Sequence, residues 1–165
     1  MSKKKKIGGL VVGLIAVVLG SVLFMFAVAG VFNNQMTMLD GEYYCEGTCE
    51  SELEELTEES YEKYMVEKKS FVVFVDQIGC DTADKLRGFT NDYFPEQGVR
   101  IYKMMFSTLK ETSLHEKVKY YPSLVVISKG TVKAFLRADS DEDAKAFNEY
   151  GSFIDWVNKR VKLNH

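Results

Sequence analysis

A run of 26 residues without a charge, Ile7 to Phe32, follows the four lysines Lys3 to Lys6. As a helix it would be roughly 39 Å long, enough to cross a hydrocarbon core of about 30 Å with some tilt. The positive-inside rule then makes residues 1–6 a cytoplasmic basic tail, residues 7–32 a single-pass signal-anchor in the cell membrane, and residues 33–165 extracytoplasmic. A second reading is a cleaved secretory signal, because Ala27-Val28-Ala29 has the small-x-small form of a cleavage site and the product would be secreted. The run exceeds the usual apolar core of about 7–15 residues, which favours the retained anchor. The folded part is exported in both readings.

Charge divides at the same point. Residues 33–165 hold 17 basic and all 24 acidic side chains, a net charge of −7. A nucleic-acid partner would need clustered Lys and Arg against phosphate, so that class is excluded. Only two prolines and 46% apolar residues argue against disorder. The exported part has the length of one domain with a real core.

Residues 33–52 hold Cys45-Glu46-Gly47-Thr48-Cys49 and little periodicity, which reads as an extracytoplasmic spacer before a domain at 53–165. Thr57-Glu58-Glu59-Ser60 opens a helix as a capping box, with Thr57 as N-cap. Ser70 to Val75 is an unbroken, β-branched apolar run, the pattern of a strand buried on both faces. Cys80, Ala83, Leu86 and Phe89 return at helical spacing as far as Tyr93, and Pro95 and Gly98 end that helix. Val99 to Phe106 reads as a strand, and Ser107 to Lys119 as a helix. Pro122 opens Ser123 to Ser128, Lys129-Gly130 turns the chain, and Thr131 to Arg137 returns as an antiparallel hairpin. Asp139 to Asp143 reads as an acidic loop. Phe153, Val157 and Val161 mark a last helix, with Ser152 as its N-cap. The order is α-β-α-β-α-β-β-α, an α/β class with parallel pairing early and an antiparallel hairpin at one side.

Two segments, Phe71 to Leu86 with Cys80 opening the helix and Tyr121 to Val132 with Pro122 opening the hairpin, carry a likeness: the chain resembles the thioredoxin-like family. The resemblance implies a central mixed sheet flanked by helices, preceded here by one transmembrane helix. It puts Cys80 in the place of the attacking cysteine, where a helix N-terminus favours the thiolate that performs disulfide exchange. It makes Pro122 a cis-proline and Tyr121-Pro122 the backbone offered to an extended substrate. The partners implied are exported polypeptides or a membrane protein, and no cofactor is implied. With its anchor and acidic loops, the chain looks like accessory proteins of Gram-positive secretion and bacteriocin systems.

The departures limit what is expected of the chemistry. The usual C-x-x-C site reads C-x-x-A, with Ala83 in the second place, so redox exchange lacks a resolving thiol. Gly79 replaces the common aromatic residue, and Phe74 stands where the family has a buried acid. Asp76, Asp81 and Asp84 put negative charge near Cys80 and oppose a thiolate. Two functions therefore stand: thiol–disulfide exchange or thiol capture through Cys80, and a redox-inactive binding or assembly module using the same groove. Cys45 and Cys49 read as a small structural disulfide; a redox pair that resolves Cys80, and free thiols or an intermolecular bond, are the other readings. Three thiols and two isolated histidines lack zinc-ligand spacing. Glu50 to Glu59 reads as a solvated face, and His115 and His165 as surface residues.

Overall fold

The computed structural model describes residues 36–47, 49 and 53–163. The basic tail, the signal-anchor at 7–32, the cleavage motif ending at Ala29 and His165 lie outside the described residues. Among the described residues no helix is long and apolar enough to cross a membrane.

One mixed sheet organises the domain. Its strands are β1 (Glu54–Glu55), β2 (Phe71–Asp76), β3 (Tyr102–Met105), β4 (Ser123–Ser128) and β5 (Thr131–Phe135), in spatial order β1-β3-β2-β4-β5. β1, β3 and β2 run parallel, and β4 and β5 run antiparallel to their neighbours. The parallel strands are joined through α1 (Glu58–Val66) and α2 (Asp81–Glu96). All six residues of β2 are buried, as its unbroken apolar run requires of a central strand. Burying each of its larger apolar side chains contributes about 1.5–3 kcal/mol.

The pleat of β2 sorts the helices. The Phe71 ring meets Tyr64 of α1 and Tyr102 of β3 on one face. Asp76, at the far end of the strand and out of phase with Phe71 in the alternation, faces the other side and pairs with Arg87 of α2. There Phe94 of α2 packs edge-on against Phe153 of α5 (Tyr150–Asn158). This two-layered covering of a mixed sheet matches a thioredoxin-like α/β fold.

Local chemistry accounts for the boundaries. Thr57 caps α1 by accepting the Ser60 N–H at 3.2 Å. Lys129 and Gly130 both take positive φ, the geometry of a two-residue hairpin turn. A side chain at Gly130 would also strike the Met65 carbonyl.

Four expectations are corrected. Ser107 to Lys119 is not one helix: α3 (Phe106–Leu109) stops where the Thr112 hydroxyl bonds back to the Leu109 carbonyl, and a 3-10 turn follows at Ser113–Glu116. The acidic loop contains a short helix, α4 (Asp141–Ala144), capped by Ser140. Glu149, not Ser152, is the N-cap of α5; Ser152 lies in its first turn and donates its hydroxyl to the Glu149 carboxylate at 2.9 Å. Finally, the part of the expected spacer that is described packs into the domain. Leu39 and Tyr43 are buried, Thr37 pairs with Val161, and the Cys45 N–H donates to the Gly98 carbonyl. Its few apolar residues have no period, so only tertiary contact reveals them as core.

Candidate functional site

The C-terminal end of β2 and the N-terminal end of β4 are neighbours, because Val75 pairs with Ser123 across the antiparallel ladder. The chain leaves β2 at Asp76, turns through residues 77–79 and enters α2 at Cys80. On the adjacent strand it arrives through Tyr121 and Pro122, whose peptide bond is cis. Two segments some forty residues apart thus open at one end of the sheet.

Cys80 is the N-cap of α2, with extended backbone, and its carbonyl accepts the Asp84 N–H at 3.0 Å. Its side chain makes no capping bond, so the sulfur is not engaged by the helix it opens. It is half-buried and is the free cysteine of the chain. Gly79 precedes it at φ 78, a left-handed conformation that suits glycine and disfavours the aromatic residue expected from the family. Ala83, one turn along, is fully buried, and so is Phe74 in β2. Neither position supplies a proton or a thiol.

The charge around Cys80 is less opposed to a thiolate than the sequence implies. Arg87 grips Asp76 with two bonds, Nε to Oδ2 at 2.9 Å and Nη2 to Oδ1 at 2.7 Å, and reaches Asp84 through Nη1 at 2.7 Å. Asp76, and secondarily Asp84, hold the guanidinium more firmly protonated than usual. Two of the three carboxylates are therefore offset by one cation, and Asp81 alone of the three has no ion pair among the described residues.

An aromatic surface surrounds the cis bond. The Tyr121 ring stacks on Phe106 with centroids 3.7 Å apart, and Lys110 Nζ lies 4.4 Å from the Phe106 ring centroid. Ile78 is 80% exposed and Tyr120 42% exposed. The sequence reading found Cys80, Tyr121 and Pro122 but not Arg87, Phe106, Ile78 or Tyr120. Arg87 had one local signal, a carboxylate three residues earlier in the helix. Phe106 had none, since its partner lies fifteen residues away.

Cys45 and Cys49 are joined by a disulfide. The Cys49 N–H donates to the Pro95 carbonyl, so the bridge lies at the far end of α2 from Cys80. Fifteen helical residues separate those ends, roughly 22 Å. The bridge and Cys80 are not brought together, and the pair does not resolve Cys80 within this arrangement.

No family model matches the chain, and no curated protein matches it. Among solved structures it is similar to the crystal structure of Trxlp from Edwardsiella tarda EIB202, at 13% identity and a TM-score of 0.49, over 64% of this chain and 98% of that one. It is also similar to the J-Trx1 fragment of ERdj5, at 18% identity and a TM-score of 0.42, over 66% of this chain and 53% of that one. The chain thus spans about half of that fragment. The fold assignment rests on the strand order, connections and register given above.

Proposed function

We propose that this protein captures or exchanges thiols on exported polypeptides through Cys80, tethered outside the membrane by residues 7–32. One observation carries the reading: a free cysteine at a helix N-cap opens at the same end of the sheet as the Tyr121–Pro122 segment that leads into β4. The Cys80 thiolate attacks one sulfur of a substrate disulfide. A Cys80–substrate S–S bond forms, the substrate S–S bond breaks, and the departing sulfur leaves as a thiolate that takes a proton from water. The electrons balance with no other reactant. The unpaired N–H groups at the start of α2 favour the attacking anion. Release needs a thiol from a separate molecule, because Ala83 supplies none and Cys45–Cys49 is distant and oxidised.

Trapping tests this. Membranes are prepared with thiols blocked, and polypeptides disulfide-linked to the protein are identified with and without Cys80→Ser. A recurrent partner lost in the variant supports capture. No linked partner favours the second reading, a redox-inactive binding or assembly module, for which Ala83 and Phe74 are the specific observations. The anchor is tested by N-terminal sequencing of the membrane-bound protein: an intact start supports it, and a chain beginning after Ala29 replaces it with a secreted product.

A further inference from the structure

The free edge of the sheet carries a second feature, remote from any sulfur chemistry. A cavity of about 540 Å³ opens along β5, bordered by Lys117, Lys133, Arg137 and Arg160, with Glu142 and Asp143 the acids. That size lies within the range of ligand pockets. Such a cation cluster stands out on residues 33–165, which carry −7 overall.

Not all of these charges are free. Both Asp143 oxygens are occupied, Oδ1 by the Trp156 indole N–H at 3.0 Å and Oδ2 by the Arg137 backbone N–H at 2.9 Å. The Arg137 guanidinium is paired with Asp139 at 3.0 Å. Lys117, Lys133 and Arg160 then face the cavity against two carboxylates, Glu142 and an Asp143 held only by uncharged N–H donors, and none of the three cations forms an ion pair among the described residues.

Arg160 is the decisive group. Its guanidinium lies 4.2 Å above the Trp156 ring and donates one bond, from Nη1 to the Trp156 carbonyl at 3.0 Å. Burial lowers its affinity for the proton, with Asp143 and Glu142 acting the other way. A cation stripped of part of its water, with most of its donors unused by the protein, gains from an anion that presents two oxygens. Beside it Val132, Ala134 and Phe135 supply an apolar wall.

β5 is an edge strand, which raises the rival of an added strand. The register works against it. Ile127 pairs with Val132 and Val126 with Ala134, so Lys133 is an extra, bulged residue. A bulge and a lysine on an edge interrupt ladder pairing and re-aim the side chain. We infer that this cavity binds a carboxylate carried on an apolar body, with Arg160 gripping the carboxylate and Lys133 and Lys117 attracting it.

Trp156 is the single tryptophan, so its fluorescence reports the site directly. The full-length protein in detergent is titrated with 3-phenylpropionate, with its uncharged amide, and with inorganic sulfate. A saturable signal for the acid is expected, with the amide and sulfate each at least about tenfold weaker, the scale of one lost charged hydrogen bond or of the lost apolar contact. Lys133→Gln, an exposed change, should weaken the acid several-fold, and Arg160→Gln should abolish it. Cys80→Ser should leave it unchanged, which separates this site from the thiol chemistry. An N-acetylated peptide with a Glu-Phe pair distinguishes a polypeptide source from a free organic acid by which binds more tightly. Equal binding of acid and amide, equal binding of sulfate, absence of saturation, or indifference to Lys133→Gln in a folded protein would each overturn the proposal.

Discussion

Arg87 clamps Asp76 through two parallel hydrogen bonds, at 2.9 and 2.7 Å, and so fastens the first turns of α2 to the end of β2. Asp76 is 4% exposed, so little water reaches it and Arg87 supplies its hydrogen bonds. The loop between them carries Cys80. Removing Arg87 leaves a buried carboxylate unpaired, which costs about 3–5 kcal/mol in a fully buried pair. Arg87 is partly in solvent, with its side chain 32% exposed, and Arg87→Gln should therefore cost less, about 2–3 kcal/mol. Urea denaturation checks this. Arg87→Lys should recover only part of the loss, because an ammonium cannot make both bonds in the same plane.

The Cys45–Cys49 bridge closes a short loop that holds residues 36–47 against the end of α2. Closing so small a loop removes about 2 kcal/mol of chain entropy from the unfolded state. The Cys45→Ala, Cys49→Ala double variant should lose about that much stability while keeping the α2 fold. Peptide mapping without reduction should show the linked fragment in the native protein, and two alkylated thiols would contradict the bridge.

Alkaline pH should unfold the domain. Burial raises the pKa of Tyr43 and of Tyr102, and also of Tyr61 and Tyr93. A group whose folded pKa is raised contributes stability that is complete below its unfolded value, about 10 for tyrosine, and is lost as the pH rises beyond it. Stability measured from pH 8 to 12 should fall once about pH 10 is passed. The Tyr43 hydroxyl is buried with no hydrogen-bond partner among the described residues. Tyr43→Phe should therefore change neutral-pH stability by no more than about 1 kcal/mol and make the alkaline fall shallower. A steeper fall in this variant would contradict the assignment.

Under the proposed capture, Ala83 sets how long a substrate stays. It sits buried one helical turn from Cys80, and Ala83→Cys would set a second thiol within disulfide reach. The mixed disulfide in this variant should be released by internal exchange, with its half-life shortened at least about tenfold. Non-reducing gels of the adduct over time measure it, and an unchanged half-life would show that the two positions do not communicate.

What was legible in the sequence follows the range of the forces involved. The β2 run and the β4–β5 hairpin were readable because burial and turn chemistry are written in adjacent residues. The positions of Cys80 and Pro122 came from the family likeness. β1 was invisible: Glu54 and Glu55 have no strand pattern, and only pairing with Tyr102 and Lys103 makes them one. Leu39 and Tyr43 looked like spacer because their partners lie in other elements. The carboxylates near Cys80 were read as bare charge because nothing in their own segment shows that Arg87 bends back to two of them. The Phe106–Tyr121 stack and the β5 cavity arise from contacts between distant segments, which no local window contains.

The central claim is that Cys80 is the attacking sulfur and has no internal release. The most direct test is intact-mass and peptide-level mass spectrometry of the purified full chain incubated with an unfolded, disulfide-containing polypeptide. One covalent adduct per chain is expected, attached at Cys80, persisting until a small thiol is added, with Cys45–Cys49 still joined. An adduct at Cys45 or Cys49, or none in a folded protein whose Cys80 remains free, would contradict it.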